Sequence, residues 1–123
     1  MRHIFALLVT LSSITAFAQD ALPDSVYAVT YLTGKAWDMA KAPQDQPYFK
    51  EHSAHLSKLR KEGIIQVGMR FAEKGLIIIK SSSLSKAREL INQDLAVIHQ
   101  LFQVDVQKLN VFYEGCLERP IKK

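Results

Sequence analysis

Apolar and polar residues change rhythm several times along the chain, and each change marks an element. Val26 to Leu32, rich in Val, Tyr and Thr, reads as a strand. Thr33 to Pro47 carries Gly34, Pro43 and Pro47 and has no period, so it reads as a long loop of a kind that often serves function. From Tyr48 to Glu62 the period turns helical: Phe49, His52, Leu56 and Leu59 recur at spacings of 3, 4 and 3 and share one face. Pro47 suits the first turn of that helix and Gly63 its C-terminal cap. Ile64 to Phe71 reads as a strand, Ala72 to Gly75 as a turn, and Leu76 to Lys80 as the returning strand, whose unbroken apolar run suggests burial on both faces. Ser81-Ser82-Ser83 leads into a helix from about Leu84 to Ile91, with a Ser as N-cap; Asp94 caps a further short turn. Phe102 to Tyr113 reads as the last strand, and its apolar phase shifts by one residue midway, which predicts a bulge near Gln107-Lys108.

The order β-α-β-β-α-β predicts an α+β fold of the ferredoxin-like kind: a four-stranded antiparallel sheet with both helices on one face. The other face is then bare, although the strands are apolar on both sides. A second copy packed sheet on sheet is the simplest cover, so a homodimer through the sheet face is expected.

The first 18 residues stand apart. They hold 12 apolar residues and no acid, open with Arg2 and His3, and end in Ala16-Phe17-Ala18. This is the layout of a secretory signal peptide with an A-x-A cleavage site, and it predicts export to the periplasm or the extracellular space. An uncleaved anchor is the alternative; the apolar run is short for a membrane span of ~20 residues. Cleavage leaves 105 residues. They divide into a flexible lead (19–25), one domain (26–114) and a basic tail (115–123), with no stable membrane anchor. A chain of that size makes one core and excludes a multidomain enzyme.

Charge adds little. Arg119, Lys122 and Lys123 carry the excess of bases, and residues 19–118 hold 12 bases and 12 acids. No basic stripe marks a nucleic-acid surface, so no nucleic-acid partner is expected. The single cysteine, Cys116, excludes an internal disulfide, and no Cys/His spacing suits zinc.

The residues able to carry chemistry are few. His52 lies inside an apolar stripe, and Asp94 precedes the short turn before the last strand. If the two helices cross, the pair can meet, and a carboxylate on an imidazole fixes its tautomer and raises its basicity, as in a general base. The plainer alternative is a core His bonded to a carbonyl and an Asp that only caps. His55 makes an H-x-x-H with His52, but Ser53 stands where a zinc protease has Glu, and His99 is a scattered third ligand. No metal or organic cofactor is called for. Trp37, Met39 and Tyr48 either line a pocket with the long loop or form a lid over the helix–sheet edge. No G-x-S-x-G, phosphate-binding loop or dinucleotide fingerprint occurs.

His52-x-x-x-Leu56-x-x-Leu59-x-x-x-Gly63, followed by Gly68-Met69, resembles the H-L-x-x-L-x-x-L-x-x-x-G…G-P-L stretch of the YciI-like (YCII-related) family. The second half is similar too: Gly75 to Ile79, a Ser-rich step, Lys86-Ala87, Asp94-x-Ala96-Val97 and Phe102-x-Val104. The likeness spans about Val26 to Tyr113. It implies a dimeric α+β barrel and a site made from His52 and Asp94; His52, not His55, stands eleven before Gly63. Met69, beside Trp37 and Tyr48, falls where a substrate would be held. Members with assigned roles include lyases and isomerase-like enzymes on small ring compounds. The implied activity is therefore a cofactor-free lyase or isomerase type, using His52 and Asp94 for proton transfer on a small organic molecule. The alternative is a non-catalytic secreted dimer that binds a small ligand or only packs. The chain departs from the pattern at Leu95, where Pro is usual, at Gln100, where Gly is usual, and at Met69.

Overall fold

A computed structural model describes residues 24–120. The expected signal peptide, residues 19–23 of the lead and residues 121–123 of the tail lie outside the described residues. The elements run β1 (Ser25–Thr33), a single 3-10 turn (Pro43–Asp45), α1 (Phe49–Lys61), β2 (Ile65–Phe71), β3 (Lys74–Ser81), α2 (Leu84–Asn92), α3 (Leu95–Ile98) and β4 (Phe102–Lys108). The sheet order is β2-β3-β1-β4 with every neighbour antiparallel. This is the ferredoxin-like α+β arrangement.

Strand register sorts the residues into rows. Tyr27 pairs with Ile79, which pairs with Ile65. Val29 pairs with Ile77, which pairs with Gly68. Tyr31 pairs with Gly75, which pairs with Arg70. Side chains alternate across a strand, so these three rows share one face. Tyr27, Val29, Tyr31, Ile77 and Ile79 form one buried cluster with Leu59 of α1 and with Ala87 and Ile91 of α2. Both long helices therefore pack on that face. The opposite face carries Ala28, Thr30, Leu32, Val67, Leu76 and Ile78 over β1–β3–β2, and Gln103, Asp105 and Gln107 on β4.

Local chemistry fixes the helix ends. Gly63, at φ +75°, closes α1: its N–H reaches Arg60 O at 3.1 Å, and Ile64 N–H reaches Leu59 O at 3.0 Å. That is the paired bonding of a Schellman cap. Pro47 lies before α1 rather than in its first turn, and Tyr48 serves as N-cap in a left-handed conformation (φ 65°). Ser83 Oγ accepts Lys86 N–H at 3.1 Å and starts α2.

Two expectations about the strands are corrected. β4 stops at Lys108 instead of running to Tyr113, because its partner β1 begins at Ser25 and offers no ladder beyond Leu109 N–H to Val26 O. Val111, Phe112 and Tyr113 are exposed. The register of β4 runs evenly through Tyr27↔Lys108, so Gln107-Lys108 holds no bulge. The irregularity sits in β2, between Ile65 and Val67, where Arg60 Nη1 donates to Ile65 O (2.6 Å) and Gln66 O (2.8 Å).

Candidate functional site

On the helix side of the sheet the β2–β3 corner is poor in side-chain volume. Gly68 stands in the Val29–Ile77 row and Gly75 in the Tyr31–Arg70 row. The N-terminal half of α1 passes over this corner, and a cavity of about 450 Å³ remains beneath it. Its wall includes Tyr31, Trp37, Phe49, His52, Leu56 and Phe102, and the rim carries Arg70 and Glu73. The volume falls in the range of small-molecule sites.

His52 is held at the top of this cavity. Its Nδ1 lies 2.5 Å from Asp94 Oδ2, and the Asp94 side chain is fully buried. Asp94 Oδ1 accepts Ala96 N–H at 2.9 Å and so starts α3. An ionised carboxylate only accepts, so the neutral tautomer that serves this contact is the one with its proton on Nδ1. Nε2 is left as the acceptor, with no protein partner among the described residues, and it is not sealed from solvent as the Tyr31 hydroxyl is. The ring is boxed by Phe102 (centroids 4.6 Å apart), Tyr31 (5.2 Å, edge-on) and Phe49 (6.1 Å). These contacts hold the imidazole plane.

Tyr31 was not legible as part of the site. Its hydroxyl is buried and has no hydrogen-bond partner among the described residues. Burial, with the charge of Asp94 adding to it, pushes the phenol well above the usual tyrosine range. It stays a neutral donor beside the His52–Asp94 pair.

The long loop is ordered. Gly34 N–H bonds Leu101 O at 2.7 Å and Ala36 N–H bonds Gln100 O at 3.0 Å. Buried Gln46 accepts Asp38 N–H at its Oε1 (3.0 Å), and its Nε2 donates to Asp38 O (2.6 Å) and Lys41 O (3.1 Å). The loop thereby carries Trp37 against Phe102, with centroids 5.6 Å apart.

Of the expected substrate-side residues, Trp37 and Met69 line the cavity with His52. Tyr48 lies apart, its ring stacked on His99 at 4.0 Å, and Met39 points to solvent. His55 is occupied elsewhere: its Nε2 donates to Leu90 O at 2.9 Å and ties α1 to α2. Among the described residues no group of three or more His, Cys, Asp or Glu is placed to hold a metal ion. No described helix is long and apolar enough to cross a membrane.

No protein-family model, curated protein or solved structure matches the chain.

Proposed function

We propose that the chain is a cofactor-free acid–base catalyst of the lyase or isomerase type, acting on a small organic molecule held in the α1–sheet cavity. One observation carries the reading: Asp94 is buried and bonded to His52 Nδ1, which leaves Nε2 as an acceptor at the cavity. In the reaction Nε2 takes a proton from a substrate C–H. The imidazolium that forms is stabilised by Asp94 Oδ2. Nε2–H then returns the proton, to another carbon in an isomerisation or to a leaving group in an elimination. A placed general base of this kind contributes about 10²–10⁴-fold to rate.

The YciI-like resemblance, export and pairing belong to the same proposal. A homodimer is supported by the sheet face that the helices leave bare, where Ala28, Val67, Leu76 and Ile78 are only partly buried and Leu32 is exposed. Light scattering of the mature chain checks it, and a clean monomer overturns it. Export predicts a mature chain that starts at Gln19, read by intact mass.

A second reading, a secreted module that binds a ligand without turning it over, is favoured by the Asp94 cap on Ala96, since that bond alone explains a buried Asp before α3. Nitrogen-15 NMR of the imidazoles separates the two. The catalytic reading requires His52 to carry its proton on Nδ1 and a bare Nε2. A proton on Nε2 instead removes the base and leaves the binding module.

A further inference from the structure

Gly68 and Gly75 are the unexplained residues of the cavity floor. Glycine inside a strand weakens it, so two on one sheet face call for a cause. Backbone conformation is not the cause, because Gly63 is the only described glycine with positive φ. Crowding is not the cause either. A Cβ on Gly68 would meet Ile77 Cγ2 at 3.5 Å, and one on Gly75 would meet Tyr31 Cβ at 3.5 Å, both ordinary contacts. Alanine fits at both positions. What the two glycines preserve is open volume beneath His52.

Arg70 shares a row with Gly75 and Tyr31 and lines the same cavity. Its guanidinium makes no hydrogen bond or ion pair among the described residues, whereas Arg60, in the last turn of α1, is tied to two carbonyls of β2. Glu73 lines the same mouth and is likewise unpaired. The cavity thus offers an apolar, aromatic body, one free planar cation at the rim, and one carboxylate that repels a second negative group.

We infer that the cavity accepts a small apolar monocarboxylate, its body lying over Gly68 and Gly75 and its carboxylate meeting Arg70. The guanidinium fork matches a carboxylate with two parallel N–H···O bonds. Glu73 disfavours a dicarboxylate. The inference rests on the acid–base reading only for placing the ligand's reactive C–H under His52 Nε2; the binding itself is separable.

The test is NMR titration of the full chain with benzoate and with neutral benzamide, which have the same shape. Benzoate should shift the resonances of Trp37, Gly68, Gly75 and His52 and bind about fivefold or more tighter than benzamide, the scale of one partly exposed charge-assisted contact. Arg70→Gln should erase that preference. Glu73→Gln should sharpen it. Gly68→Leu should block both probes while the Nδ1 proton signal of His52 persists as the check on folding; Gly75→Val is the second variant should Gly68→Leu misfold. Equal binding of the two probes, shifts confined to other surfaces, or a preference that survives Arg70→Gln overturns the inference. A His52 proton found on Nε2 with the benzoate preference intact overturns the acid–base reading alone.

Discussion

Asp94 orients His52 with one carboxylate oxygen and caps α3 with the other: Oδ2 lies 2.5 Å from His52 Nδ1, and Oδ1 accepts Ala96 N–H at 2.9 Å. Capping and orienting are therefore not rival roles for this residue. The cap fixes where the carboxylate stands, and that position fixes the imidazole. The two roles respond to different substitutions. Asp94→Asn keeps an oxygen for Ala96 but turns an NH₂ toward Nδ1, so the His52 proton moves to Nε2. Asp94→Ala removes both bonds and should cost about 2–4 kcal/mol. Asparagine should cost about 1 kcal/mol less than alanine, because the cap survives. Urea unfolding of the two variants checks the difference; equal losses would mean that the cap contributes nothing.

Tyr31 gives a prediction of the opposite sign. Its hydroxyl is buried without a partner, a state that costs rather than stabilises. Tyr31→Phe should raise stability by about 1 kcal/mol at neutral pH. The pH dependence follows from the raised phenol. Above about pH 10 the unfolded chain ionises this tyrosine while the folded chain keeps it neutral, so folding stability is undiminished below that pH and falls as pH rises. The loss is at most about 1.4 kcal/mol per pH unit for one proton. Phenylalanine has no such loss, so the advantage of Tyr31→Phe should widen between pH 9 and pH 11. Parallel stability curves for the two proteins would count against a neutral, buried phenol.

How far the site could be read from the residues depends on what kind of signal each one leaves. His52 was visible because it breaks an apolar stripe at helical spacing, and Asp94 because an N-cap has a recognisable place before a turn. Their meeting required only that α1 and α3 lie on one side of the sheet. Tyr31 left no signal: in an alternating strand a Tyr at a buried position reads as core, and only the assembled neighbours reveal its unmatched hydroxyl. The role of Gln46 was equally hidden, because its three partners are loop backbone groups whose approach depends on the closed loop. The β4 boundary failed for a reason of pairing. Leu109, Val111 and Tyr113 alternate as a strand should, but a strand needs a neighbour, and β1 has ended.

Gln46 carries its own prediction. Replacing it with Ala deprives Asp38 N–H, Asp38 O and Lys41 O of a partner at once. Part of that is recovered by water at the exposed loop, so the global cost should be about 1–2 kcal/mol. The larger effect is local. Amide exchange should rise across residues 36–46, and Trp37 should loosen from Phe102, seen as a red shift and weaker quenching of its fluorescence. Unchanged exchange in this segment would show that the clasp of Gly34 and Ala36 on Leu101 and Gln100 holds the loop alone.

That clasp sets the last prediction. Gln100 adopts φ 60°, the left-handed conformation that glycine takes most readily. The backbone takes it although the side chain carries a Cβ. The reason lies opposite, at Gly34. A Cβ there would fall 2.0 Å from Gln100 O and 2.8 Å from Gln100 C, both backbone atoms that cannot swing away. The two chains touch main chain to main chain, and the turn at Gln100 delivers the carbonyls that bond Gly34 and Ala36. Gln100→Gly should therefore gain about 0.5 kcal/mol, the left-handed strain relieved outweighing the extra freedom of the unfolded chain. Gly34→Ala should lose about 2–4 kcal/mol, since the backbones must part and two hydrogen bonds go with them. Thermal unfolding of both variants reads the signs directly. A Gln100→Gly protein less stable than Gln100→Ala would show that no strain resides at this turn, and a tolerated Gly34→Ala would show that the clasp is looser than 2.0 Å implies.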